Sequence, residues 1–168
     1  EEKVSLARQL REGITAVKNP GIRLAYGASF VARGNLAVVG TFFTLWATIY
    51  GTEHLGLTTS EAIKKGGLIL TISYVASLLG APVFGILSDR INRVTAMAIT
   101  LFIGVIGYCG AIFFDNPFSP GMMICLVFIG LAEVGCIITS GVLIAEQSPD
   151  DIRGSVFGMF TLSGAVGI

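Results

Sequence analysis

Residues 94–114, VTAMAITLFIGVIGYCGAIFF, carry no charged side chain. A helix that crosses a membrane needs about 20 predominantly apolar residues in succession, and this stretch meets that requirement without interruption. Strands of a membrane barrel instead alternate apolar and polar residues over shorter segments. The stretch therefore predicts a transmembrane helix, and it predicts lipid as the solvent around this part of the chain.

Comparable apolar runs lie on both sides of this segment. The sequence predicts spans over residues 24–50, 66–86, 94–114 and 122–145, and a fifth apolar segment over 155–168. Lipid cannot hydrogen-bond to the backbone, so helices joined by the short polar connections between these runs are the natural solution. The predicted fold class is all-α: a polytopic membrane bundle of four transmembrane helices and the start of a fifth. Because the last segment stops at Ile168 without a polar flank, we expect it to continue in a longer protein.

Composition supports this fold class and narrows the possible functions. Hydrophobic residues make up 53% of the chain and charged residues 13%, whereas soluble proteins carry about 25% charged residues. The net charge is zero and no basic face appears, which argues against a nucleic-acid partner and leaves membrane lipid as the expected surroundings. The cysteines lack metal-ligand spacing, so no metal or other cofactor is predicted. No catalytic motif of a hydrolase, metalloprotease or phosphate-binding loop is present, and we expect no enzymatic activity.

Residues 1–23 differ in kind from the rest. Apolar side chains recur there near helical spacing, with charges between them: Val4, Leu6, Leu10, Ile14 and Val17. This pattern favours an amphipathic helix on the membrane surface that ends near Asn19-Pro20-Gly21. A solvated linker is the alternative.

The distribution of basic residues predicts the orientation. One side of the predicted bundle carries eight basic residues, namely Lys3, Arg8, Arg11, Lys18, Arg23, Arg90, Arg93 and Arg153. The other side carries only Lys64 and Lys65. Since basic residues collect on the cytoplasmic side of membrane proteins, we expect the N-terminus of this chain in the cytoplasm.

The loop after the second span carries the most specific motif, GILSDRINR, over residues 85–93. It resembles the signature G-x-x-x-D-[RK]-x-G-[RK]-[RK] of the major facilitator superfamily. The matching residues are Gly85, Asp89, Arg90 and Arg93. Asn92 stands where the signature has glycine, and Asn adopts left-handed conformations more readily than most residues. Val94 stands in place of the last basic residue.

A second motif, EQSPDDIRGSVFG, precedes the fifth segment. It resembles E-x-x-P-x-x-x-R-G of the same superfamily at Glu146, Pro149, Arg153 and Gly154, and Ser148 is predicted to cap the following helix. The resemblance implies that the two motifs form a cytoplasmic latch, with Asp89 near Arg153 and near the start of the fifth helix. A loop that only sets topology is the alternative.

The resemblance also bears on which part of a transporter this chain represents. The polar leader over residues 1–23 looks like the end of the connection between the two six-helix halves of this superfamily. The chain then belongs to the C-terminal half. The N-terminal half stays open, because the halves are repeats.

Two charged residues, Arg33 and Glu133, lie well inside predicted spans. Ionisable groups at that depth usually face a cavity or a partner. The resemblance implies that their two helices line the substrate pathway, and Asn35 and Thr44 are further candidates. Arg33 and Glu133 could instead form a structural ion pair, and Arg33 could extend to the interface.

The function implied is that of a secondary transporter, which moves a small solute by alternating access, with proton coupling through Glu133 as one open role. The sequence does not identify the solute. The alternative is a non-transporting protein on the same scaffold, acting as a sensor or assembly partner. Because alternating access uses both repeats around a central site, we expect this chain to need the remaining helices of the full transporter.

Overall fold

The computed structural model describes residues 5–167, and all regular elements in that range are helical. They are α1 (Leu6–Thr15), a 3-10 turn (Ala16–Lys18), α2 (Pro20–Val38), a π-helical turn (Val39–Phe43), α3 (Thr44–His54), α4 (Thr59–Arg90), α5 (Arg93–Ala111), α6 (Pro120–Gln147) and α7 (Arg153–Val166). The predicted all-α class is therefore confirmed.

Four helical segments are long and apolar enough to cross a membrane. They are Pro20–His54, which joins α2, the π-helical turn and α3, and the helices α4, α5 and α6. Three of them extend beyond the apolar runs seen in the sequence, because polar residues continue each helix past its apolar centre. The polytopic membrane architecture is confirmed.

Local sequence signals explain where these helices begin. Thr58 and Glu61 form a reciprocal capping box that starts α4, which satisfies two otherwise unpaired backbone N–H groups. The Ser119 hydroxyl accepts a hydrogen bond from the Met122 backbone at the start of α6, and Pro120 occupies the first turn. Proline suits this position because no helical hydrogen bond is lost there.

Helix α6 is the centre of the bundle and packs against α2, α4 and α5. Its Gly130 lies directly against the backbone of Ser73 in α4, and a Cβ at position 130 would overlap the Ser73 carbonyl oxygen. The Ser77 hydroxyl donates a 2.8 Å hydrogen bond to the Gly130 carbonyl at the same crossing. Small residues let helix backbones approach closely in membranes, where apolar side chains gain little by leaving lipid.

Helix α1 packs on α7, and α7 in turn packs along α2. Gly13 of α1 sits so close to Ser155 and Met159 of α7 that a side chain would not fit. The Tyr26 hydroxyl of α2 lies 3.2 Å from both the Gly13 and the Val156 carbonyl oxygens. One buried side chain thus joins three helices.

The start of α2 and the end of α6 lie at the same end of the bundle, where Asn19 Nδ2 is 3.3 Å from Gln147 Oε1. The start of α5 is also there, since Arg93 is an ion-pair partner of Glu146. We call this the α1 end. The opposite end holds the Tyr50 and Phe118 rings, whose centroids are 6.1 Å apart.

The prediction that Ser148 caps the fifth segment is wrong. Its hydroxyl donates back to the Ile144 carbonyl, and Ser148 is the C-cap of α6. Serine readily bonds the carbonyl four residues earlier when it sits at the end of its own helix. Helix α7 begins only at Arg153, after a turn, and no side chain caps it.

Candidate functional site

A polar pair lies inside the transmembrane region between α2 and α6. Asn35 Nδ2 donates a 3.2 Å hydrogen bond to Oε2 of Glu133. Both side chains line a cavity of about 300 Å³, together with Tyr108 and Thr100 of α5. Most of the remaining lining is aliphatic, with Val31, Leu101, Val105 and Ile129 among its members. The cavity thus presents one carboxyl, one amide and two hydroxyl-bearing side chains among mostly aliphatic residues.

This cavity offers hydrogen-bond acceptors to an incoming donor. Asn35 Oδ1 is buried and has no hydrogen-bond partner among residues 5–167. Buried polar atoms are nearly always paired in folded proteins, so an unpaired one calls for an explanation. A cation or a donor group on a solute would satisfy Asn35 Oδ1 and would also be attracted by the Glu133 carboxyl.

Arg33 is not the partner of Glu133. Its side chain is exposed and runs beside Gly164 of α7, where it lines a separate cavity of about 50 Å³ with Ser140 and Phe160. Successive residues of an α-helix are rotated by about 100°, so positions 33 and 35 point to nearly opposite faces. Because Asn35 faces Glu133, Arg33 faces α7.

The hydroxyl of Thr44 is engaged locally, donating a 2.6 Å hydrogen bond to the Gly40 carbonyl. In a regular helix with 3.6 residues per turn, Arg33 and Thr44 would share one face, because they are eleven residues apart. The π-helical turn Val39–Phe43 lies between them and breaks the 3.6-residue periodicity that this prediction assumed.

The first motif forms an ion cluster at the α1 end. Arg93 Nε is 3.2 Å from Glu146 Oε2, and Arg93 Nη1 is 3.7 Å from Asp89 Oδ1. Arg93 therefore links the end of α4 to the end of α6. Arg90 and Asn92 line the adjoining cavity of about 320 Å³, and Gly85 lies one turn earlier in α4 with open space at its Cα.

Arg153 has other partners than the sequence predicts. It lies 2.6 Å from Asp150 Oδ1 and donates a long, 3.5 Å hydrogen bond to the Ser148 carbonyl. Asp89 pairs with Arg93, so the residues that the structure describes contain no Asp89–Arg153 ion pair. The two motifs meet through Arg93 and Glu146 instead. Pro149 lines a cleft beneath α1, and Gly154 has open space around it.

Two residues of these sites were missed by sequence reasoning. Tyr108 lies in the uncharged span 94–114, for which the sequence predicts only contact with lipid, yet it lines the Glu133 cavity. Ser155 was not singled out, yet its hydroxyl donates to Glu12 of α1 at 2.8 Å. Tyr108 is a polar-tipped residue within an uncharged span, and that would have been a usable signal. Nothing in the sequence marks Ser155.

These features define the class of the protein: a multi-pass α-helical membrane protein with a buried polar pair and a charged cluster at one end. A family model described as Major Facilitator Superfamily matches residues 3–168. The chain belongs to the major facilitator superfamily, as its two motifs predicted.

Several curated proteins are similar in sequence to this chain. The chain is 28% identical to the magnetosome protein MamH of Paramagnetospirillum magneticum over 89% of its own length and 34% of MamH. It is 29% identical to the magnetosome protein MamZ of Magnetospirillum gryphiswaldense over 95% of its length and 24% of MamZ. It is 26% identical to the multi-drug resistance efflux pump PmrA of Streptococcus pneumoniae over 86% of its length and 34% of PmrA. No solved structure gives a significant match.

The chain therefore spans between 24% and 34% of the length of these curated relatives. The family points to a transport scaffold rather than to an enzyme.

Proposed function

We propose that the chain is part of a secondary active transporter, which moves a small solute across the membrane by alternating access. The observation that carries this proposal is the Asn35–Glu133 pair in its cavity between α2, α5 and α6. A charged side chain at the centre of a membrane helix is unfavourable by about 2.5–3.5 kcal/mol or more, and such residues commonly mark ion or substrate pathways.

The chemistry of the pair suggests how coupling would work. A carboxyl group can hold a proton in one access state and release it in the other, provided that its surroundings differ between the states. We assign this proton-carrying role to Glu133. Asn35 would hold the carboxylate in place and offer its unpaired carbonyl oxygen to the solute. Arg33 and Thr44 are proposed as further pathway residues. Arg33 lies on the side of α2 that faces α7, and Thr44 lies at the start of α3.

The ion cluster at the α1 end is proposed as the latch that stabilises one access state. Arg93 contacts both Asp89 and Glu146, so a rotation that separates the ends of α4 and α6 would break at least one of these contacts. Seven of the eight basic residues of the predicted cytoplasmic side fall within the described chain and lie toward this end. We therefore propose that the α1 end faces the cytoplasm.

Transport requires more of the protein than these helices. The chain covers about a third of the length of MamH and PmrA, and alternating access depends on two repeats that move around a site between them. We propose that this chain supplies the start of the C-terminal half and works together with the remaining helices.

The test uses the full-length protein in proteoliposomes with an imposed pH gradient. A thermal-shift panel of monovalent and divalent metal cations, amino acids and tetraphenylphosphonium first identifies a stabilising solute, because ligands stabilise the state that they bind. We expect Glu133→Gln to abolish uptake or efflux driven by the pH gradient while solute exchange continues. The matched control Glu53→Gln, which changes an exposed carboxylate at the opposite end, should leave both intact. Unchanged proton-driven flux in Glu133→Gln would defeat the coupling role.

A second candidate function is a non-transporting membrane protein that senses a solute or assembles with other proteins. The chain is slightly more similar to MamH and MamZ, at 28% and 29% identity, than to the pump PmrA, at 26%. The names of MamH and MamZ mention a magnetosome and no transport, which favours this candidate. This candidate predicts solute binding or protein association without flux in the same proteoliposomes.

A further inference from the structure

A cleft of about 480 Å³ lies between α1 and the ends of α2 and α6. Three basic residues, Arg8, Arg11 and Lys18, line it, and Thr15, Asn19 and Gln147 add polar groups. None of these residues belongs to the interior pair or to the Arg93 cluster. The cleft is thus a separate site, in which basic and polar side chains surround apolar walls formed by Ala16, Ile22, Pro149 and Ile152.

The one carboxylate that lines this cleft is already engaged. Glu12 Oε1 is 2.9 Å from Arg8 Nε, and Glu12 Oε2 accepts the hydrogen bond from Ser155. Within residues 5–167, neither Arg11 nor Lys18 forms an ion pair. Asp150, beyond Pro149, is paired with Arg153. The cleft therefore keeps a net positive charge that no described side chain balances.

The cleft lies level with the ends of two candidate membrane-spanning helices, Pro20–His54 and Pro120–Gln147. Lys18 immediately precedes Asn19, which caps the first transmembrane helix, and Gln147 is the last residue of α6. The basic groups thus lie where two spans leave the apolar layer. Basic residues at this depth attract anionic lipid headgroups.

The outer face of α1 matches the apolar part of a lipid. Leu6, Leu10 and Ile14 follow one another at four-residue spacing, and they are 78%, 47% and 57% exposed. Residues four apart share one face of a helix, so the three side chains form a single apolar stripe. A helix with such a stripe and basic residues beside it lies in the membrane interface, with its apolar side toward the acyl chains.

We propose that this cleft, with Arg11 and Lys18, binds the phosphate of an anionic phospholipid, while the stripe on the other side of α1 faces the acyl chains of the surrounding lipids. The lipid would hold α1 in place, and α1 is packed on α7. The cleft shares no residue with the proposed transport site, so we expect lipid binding whether or not the protein transports a solute.

The test is native mass spectrometry of the full-length protein, released from detergent with phosphatidylglycerol or phosphatidylcholine of matched chains. The native protein should bind phosphatidylglycerol more tightly than phosphatidylcholine. Each basic residue near a membrane surface contributes about fivefold in affinity for anionic lipid. Arg11→Gln/Lys18→Gln should therefore reduce the preference for phosphatidylglycerol by more than about tenfold. Lys64→Gln/Lys65→Gln makes the same charge change at the opposite end and should preserve that preference.

Two further measurements distinguish lipid binding at the cleft from general attraction to the membrane and from binding of a free anion. Leu6→Gln/Leu10→Gln should weaken the binding of both lipids without changing the ratio of the two affinities, because it alters the stripe alone. Glycerol 3-phosphate should compete poorly, since it lacks acyl chains. An equal loss of preference in the Lys64/Lys65 control, an unchanged preference in Arg11→Gln/Lys18→Gln, or full competition by glycerol 3-phosphate would each overturn the proposal. Melting curves of all variants confirm that these exposed substitutions leave the fold intact.

Discussion

Ser155, in the first turn of α7, donates a 2.8 Å hydrogen bond to Glu12 of α1, across 143 positions of sequence. The bond joins α1 to α7, the last helix that the structure describes. It also sets the ionisation of the carboxyl group. The hydrogen bond from Ser155, with a smaller effect from Arg8, lowers the pKa of Glu12 below its usual 4.5.

This pKa shift predicts a pH-dependent attachment of α1. A carboxyl whose pKa is lower in the folded state stabilises that state above its unfolded pKa, and the stabilisation is lost as the pH falls through the folded value. The melting temperature of the native protein should therefore exceed that of Glu12→Gln at pH 7, and the difference between the two should narrow as the pH falls below 4.5. The comparison between the two proteins removes the effect of other titrating groups. A constant gap down to pH 3 would contradict the prediction, and Glu53→Gln serves as the control.

Tyr26 is expected to contribute to the same attachment through its hydroxyl group. The hydroxyl lies 3.2 Å from carbonyl oxygens of both α1 and α7, so Tyr26→Phe leaves two buried acceptors without this donor. The free energy of unfolding should fall by about 1 kcal/mol, and trypsin should cleave faster after Lys18. Tyr74→Phe changes an exposed tyrosine whose hydroxyl forms no hydrogen bond within the described residues, and it should have no such effect. If both variants showed the same stability and the same rate of cleavage, the Tyr26 hydroxyl would not contribute to the attachment of α1 to α7.

The crossing of α4 and α6 yields a prediction about packing. A Cβ at Gly130 would overlap the backbone carbonyl of Ser73, which cannot move aside as a flexible side chain could. Gly130→Ala should therefore lower the unfolding free energy by about 1–3 kcal/mol. Gly141→Ala lies on the same helix with nothing within 4 Å of the added methyl group, and it should be neutral or slightly stabilising. Denaturation in mild detergent measures both, and a neutral Gly130→Ala would show that the helices separate easily.

The sequence predicted the broad fold because hydropathy over about 20 residues directly reports a membrane-spanning helix. The sequence also carries a signal for the start of α4, because Thr58 and Glu61 have the spacing of a capping box. It could not reveal the π-helical turn Val39–Phe43, where the hydrogen-bond register changes within an ordinary apolar run.

The interior pair was predicted only in part, for a geometric reason. Arg33 and Asn35 are two residues apart, and composition alone does not decide which face of α2 meets α6. Packing decides it: Asn35 contacts Glu133, and Arg33 lies beside α7. The partners of Asp89 and Arg153 depend in the same way on how α4, α6 and α7 approach one another.

The ion cluster at the α1 end gives a prediction that separates a latch from a topological signal. Arg93 is 27% exposed and contacts Glu146 at 3.2 Å and Asp89 at 3.7 Å. A double-mutant cycle on Arg93→Gln and Glu146→Gln should give a coupling energy of about 0.2–1 kcal/mol in stability, as expected for a partly exposed pair. Such a small energy still shifts a two-state equilibrium by up to about fivefold.

Asp89→Asn should shift that equilibrium less than Glu146→Gln, because Asp89 is 78% exposed and lies farther from Arg93. Labelling of single cysteines in the interior cavity from either side of the membrane, in a cysteine-free background, measures the populations of the two access states. Asp150→Asn removes the partner of Arg153 and keeps the Arg93 contacts, so it should leave the populations unchanged. If the Arg93 and Glu146 variants also leave them unchanged while their stability falls, the cluster fixes helix packing without controlling access.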